Sequence, residues 1–103
     1  MSGDFVEIAE WEKYQHYHRR ETAPWVKLHY QLLDDPRFLA LDEVQQSRYM
    51  KLLMVAIRCG NRIQNDPQYL AKILRVSGEV DLTPLIHSGL LLACRKRRAS
   101  QPL

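Results

Sequence analysis

The sequence predicts a small α+β domain, mainly α, and three stretches carry the prediction. Residues 49 to 57, YMKLLMVAI, are apolar at nearly every position except Lys51, the pattern of a helix contacted on several sides. Residues 62 to 74, RIQNDPQYLAKIL, read as a short strand, Arg62-Ile63-Gln64, running into a helix with a clear start. Asp66 stands where an N-cap belongs, and Pro67 takes the first helical position, where its missing N–H is no loss. Residues 81 to 94 then supply a second short helix and a closing strand. A chain of 103 residues makes one domain with a modest core.

From the N-terminus, FVEIAEW (5 to 11) is β-branched and aromatic enough for a strand, with Phe5, Ile8 and Trp11 as its strongest apolar points. The polar and aromatic stretch that follows, ending in Thr22-Ala23-Pro24, reads as an irregular excursion. Tyr14 and Tyr17 there suit a core edge with their hydroxyls in water. WVKLHYQLL (25 to 33) admits two patterns, a helical stripe of Trp25, Leu28, Leu32 and Leu33, or a strand alternation of Val26, Leu28, Tyr30 and Leu32. Pro24 favours the helix, with Trp25 in the core and Asp34-Asp35-Pro36 as its stop.

Asp42 and Gln45 have capping-box spacing at the head of the long apolar helix, and Cys59-Gly60-Asn61 ends it. Leu70, Ile73 and Leu74 share one face of the next helix, and Arg75-Val76-Ser77-Gly78 forms a turn. Pro84 is tolerable only in a first turn, so the last helix begins near Asp81 and ends at Gly89, burying Leu82, Leu85 and Ile86. Leu90 to Cys94 is the final strand.

Hydrophobic residues make up 46% and charged residues 26%, a globular balance that argues against disorder. Cys59 and Cys94 are too few for a disulfide framework and, among apolar neighbours, read as buried free thiols. The opening MSGDFVEIAEW has neither the basic nor the apolar region of a secretory signal, and no run approaches a membrane span. A cytoplasmic protein without membrane contact is expected. The net charge is +3, but four of the fifteen basic residues are Arg95, Lys96, Arg97 and Arg98. The rest of the chain is nearly neutral, so the basic character sits in one late cluster, suited to phosphate backbones or to solubility alone.

Strand, helix, helix, strand over 62 to 94, behind a long core helix, is the element order of a winged-helix domain. The chain also resembles the N-terminal winged-helix domain of phage and prophage replication proteins, of the replisome-organiser or initiator type. The pieces that carry the resemblance are Trp11-Glu12-Lys13-Tyr14-Gln15-His16-Tyr17, Pro24-Trp25-Val26-Lys27-Leu28 and Leu32-Leu33-Asp34-Asp35-Pro36. They continue in Ile63-Gln64-Asn65-Asp66 with Leu70, Ala71 and Leu74, and close with Leu85-Ile86-His87-Ser88-Gly89-Leu90-Leu91. The resemblance spans roughly residues 5 to 94 and implies a setting in replication initiation or helicase recruitment, with a helicase or its loader as a partner. Such domains usually continue into a region for those contacts, which leaves open whether this chain is a stand-alone relative or a piece. The expected organisation is an N-terminal strand and aromatic-basic extension packing on the domain (1–24), a winged-helix domain (25–94) and a basic tail (95–103).

In that arrangement the last helix would face the major groove with Asp81, Thr83, His87 and Ser88, and Glu79 just before it. It carries no Arg or Lys to grip guanine, and its carboxylates would meet phosphates. Backbone contact has better candidates in Arg62, Lys72, Arg75 and the run Arg95, Lys96, Arg97 and Arg98, read as gathering near one end of the domain. The candidate DNA-binding set is therefore these seven with Thr83 and His87. His16 and His18 are a lone imidazole pair without further ligands. No phosphate loop, nucleophile elbow or carboxylate pair is visible. A non-catalytic module without cofactors is expected. The competing expectation is protein docking or dimerisation, anchored on Tyr14, Tyr17 and Tyr30 with Trp11 or Trp25 partly exposed.

Overall fold

Four helices start on the same device, an aspartate whose carboxylate accepts a backbone N–H of the first turn. Asp35 accepts from Arg37, Asp42 from Gln45, Asp66 from Gln68 and Asp81 from Thr83, at 2.9 to 3.1 Å. Pro36, Pro67 and Pro84 follow three of these aspartates into the first turn. The computed structural model describes residues 5–15 and 25–94. Its elements in chain order are β1 (Phe5–Ile8), α1 (Trp11–Gln15), a 3₁₀ turn (Tyr30–Asp34), α2 (Pro36–Leu39) and α3 (Glu43–Cys59). Then come β2 (Ile63–Gln64), α4 (Pro67–Leu74), α5 (Thr83–Ser88) and β3 (Leu91–Cys94).

The strands form an antiparallel sheet in the order β2-β1-β3. Phe5 lies opposite both Gln64 and Cys94, and Ile8 opposite Leu91. The strand expected in an N-terminal extension is thus the middle of the sheet. Val6 and Ile8 point into the core, against α3, while Phe5 and Glu7 are on the other face. The core joins these to Leu52, Ala56, Ile63, Leu70, Leu82, Leu85, Leu90 and Leu91. Among the described residues no helix is long and apolar enough to cross a membrane.

The strand-helix-helix-strand order of the C-terminal half, the Asp66 and Asp42 caps and the left-handed Gly60 and Gly89 ends all match the expectation. The N-terminal half differs. Trp11 is not in a strand but begins α1, where it is buried. Residues 25 to 29 are irregular, not helical, and Trp25 is exposed. The cause is Gln15: its buried carboxamide accepts from Lys27 N–H and donates to Lys27 C=O, both at 2.9 Å. A residue whose N–H and C=O are claimed together by one side chain is drawn away from the helical ladder. The stop at Asp35-Pro36 is also a start, since Asp35 caps α2.

Two other expectations change. Neither cysteine forms a disulfide among the described residues, but Cys59 is exposed and Cys94 partly so, because each closes its element. Helix α3 is not apolar-buried all round, since Met50 and Met54 reach solvent.

Candidate nucleic-acid interface

Helix α4 is eight residues, about 12 Å long, and its two ends carry different charges. At the start, Asp66 satisfies the Gln68 N–H. At the end, Arg75 closes the helix in the left-handed conformation, φ 59°, with its side chain exposed. Lys72 is exposed one turn back. Lys51 reaches across from α3, and its Nζ donates to the Leu74 carbonyl at 3.1 Å. Three cations therefore lie at the last turn of α4, where the helix dipole favours positive charge.

Lys51 was no candidate from the sequence. Its one signal was to be the polar break in an apolar run, and the structure gives the reason, since it ties the central helix to the end of α4.

Arg62 lies elsewhere. It precedes β2, at the other end of α4, and its guanidinium sits 4.1 Å from the centre of the Phe5 ring on the outer face of the sheet. Arg62 therefore stands apart from Lys72 and Arg75, which sit at the far end of α4. Arg95, Lys96, Arg97 and Arg98 lie outside the described residues, as do His16, Tyr17 and His18.

Helix α5 begins at Thr83, two residues later than expected, and spans six residues. Thr83 N–H and its hydroxyl both donate to Asp81 Oδ1, at 3.0 and 2.7 Å. These bonds hold the Asp81 carboxyl below its usual range, the hydroxyl bond first, so it stays charged. The Asp81 carboxylate therefore already takes the N–H of the first helical residue. His87 is exposed in the last turn. Ser88 is half-buried rather than exposed, its hydroxyl donating to Leu85 C=O at 2.8 Å. The connection between α4 and α5, residues 75 to 82, is longer than the three or four residues of a tight helix-turn-helix.

The structure thus brings Lys72 and Arg75 together with Lys51, and keeps Thr83 and His87 on a short helix whose approach is acidic. No family model, curated protein or solved structure matches this chain.

Proposed function

We propose that this chain is a non-catalytic, cytoplasmic DNA-associated module of the phage replication type, built on a winged-helix plan. It would contact the phosphate backbone rather than read bases. The observation that carries the reading is the convergence of Lys51, Lys72 and Arg75 on the exposed end of α4. Two short helices between strands, with a long helix behind, support the plan. The acidic entry to α5 argues against that helix as a base reader. The Arg95 to Arg98 run, which follows Cys94 in the sequence, adds four positive charges.

Fluorescence anisotropy of labelled duplex and single-stranded DNA, at several salt concentrations, tests this. The expected outcome is micromolar binding that falls steeply with salt. Lys72→Ala with Arg75→Ala should reduce the salt slope by about two, roughly one per lost phosphate contact. Changing Arg95, Lys96, Arg97 and Arg98 to alanine should reduce it further. Absence of binding at low salt would refute the reading.

A second reading, protein docking without DNA contact, has its own observation: Trp25 and Tyr30 are both exposed. Docking of that kind would be nearly indifferent to salt.

A further inference from the structure

Five of the exposed large hydrophobic side chains fall between residues 25 and 39: Trp25, Leu28, Tyr30, Leu33 and Leu39. Each is more than half exposed, from 56% at Leu39 to 79% at Tyr30. Tyr30 and Leu33 are three apart in the 3₁₀ turn, a spacing at which side chains eclipse on one side. Helix α2 packs on that turn and carries Leu39 at its end. Leu28 also lines a cleft with Trp11, Leu32, Tyr49 and Leu53.

We infer that this belt is a self-association surface, and that its occupant is a second copy of the chain. Five side chains of this size, so exposed, present on the order of 600–700 Å², near the ~800 Å² that each partner contributes to a standard interface. The belt carries an aromatic knob and a lined cleft side by side. That pairing is what an isologous contact between two copies uses, each inserting into the other. The charges of the segment balance, Lys27 and Arg37 against Asp34 and Asp35. Arg37 is already bound to Asp35 at 2.7 Å, so no excess of one sign selects a highly charged partner. The inference stands independently of whether the domain touches DNA.

Sedimentation velocity without DNA, over about 5 to 500 µM, tests it. The wild type should pass from monomer to dimer across the series. Tyr30→Glu and Leu33→Glu, both at exposed positions, should weaken the dimer at least about tenfold. Met54→Glu, on the exposed side of α3, should leave it unchanged. Tryptophan emission gives a readout in the unmodified protein. Trp11 is buried and Trp25 is 58% exposed, so dimerisation should shift emission to the blue as concentration rises. A wild type that stays monomeric, with emission independent of concentration, overturns the inference. So does a dimer that both belt variants leave intact, or one that Met54→Glu weakens equally.

Discussion

The segment from Ile63 to Cys94 and the segment from Phe5 to Asp42 are held by hydrogen bonds of different reach. In the first, each helix is started by an aspartate two residues ahead of its donor and ended by a left-handed residue, Arg75 or Gly89. In the second, beside the local Asp35 cap, Gln15 and Asn61 bind backbone far along the chain and Gln46 binds a nearer stretch. Gln15 holds Lys27, and Gln46 donates to the carbonyls of Phe38 and Leu41. Asn61 accepts from Ile8 N–H at 2.7 Å and donates to Ile8 C=O at 3.2 Å. Short-range caps compose helices one at a time and are replaceable. Long-range carboxamides fix where the chain goes, and their loss strands two backbone groups at once.

Gln15→Leu should break that contrast most visibly. The side chain is 2% exposed, and leucine keeps most of its bulk while removing both partners of Lys27. Two stranded backbone groups cost about 2–4 kcal/mol, whereas Asp66→Ala, the loss of one local cap, should cost about 1 kcal/mol. Urea denaturation measures both. Equal costs would mean that the clamp is no more important than a cap. Amide exchange at Lys27 should also accelerate more in Gln15→Leu than exchange within α4.

Asn61→Gly comes next. Asn61 has φ 59°, a conformation glycine adopts freely, so the substitution deletes the carboxamide without straining the backbone. The expected loss is about 1–2 kcal/mol, for two bonds to a partly buried strand end. Asn61→Ala should lose about 1 kcal/mol more, because alanine pays for the left-handed conformation. If the glycine variant is as stable as the wild type, Asn61 serves the α3 end alone and not the sheet.

The same contrast explains what was readable from the sequence. Aspartate caps, first-turn prolines and glycine stops act within a few residues, so α3, α4 and α5 were legible from Asp42, Pro67 and Gly89. The helical face of Leu70 and Leu74 follows from spacing alone. The stretch from 25 to 33 was not legible, because its local pattern suited helix and strand equally and the deciding group, Gln15, lies outside it. The exposure of Trp25 follows from that. The sheet order was hidden for a related reason, since pairing of β1 between β2 and β3 depends on contacts more than fifty residues apart. Of the proposed interface, Lys72 and Arg75 were visible as basic residues on a helix. Lys51 was concealed in an apolar run, because only packing of α3 on α4 brings it to Leu74.

The smallest effect expected is acidic, and it separates the two regions by charge. Asp35 and Asp81 are both held below the usual carboxylate range, but for different reasons. For Asp35 the main cause is the side-chain bond from Arg37, opposed by burial; Arg37 also reaches Glu10 at 3.4 Å, tying α2 to the β1–α1 turn. For Asp81 it is the neutral Thr83 hydroxyl and N–H. A carboxyl with a lower pKa folded than unfolded adds stability that is complete above about pH 4 and is lost as pH falls through the lower folded value. Stability measured from neutral pH down to about pH 2 should therefore fall less in Asp35→Asn and Asp81→Asn than in the wild type, since the asparagine amide oxygen still accepts the same backbone N–H at every pH. Each difference should be below about 1 kcal/mol, as for partly exposed groups. Salt then distinguishes them. Screening weakens an ion pair more than a bond to a neutral hydroxyl, so the Asp35→Asn difference should shrink in high salt and the Asp81→Asn difference should persist. Equal salt sensitivity would mean that Asp35 acts only as a cap, and that nothing but Gln15, Gln46 and Asn61 sets the N-terminal half apart.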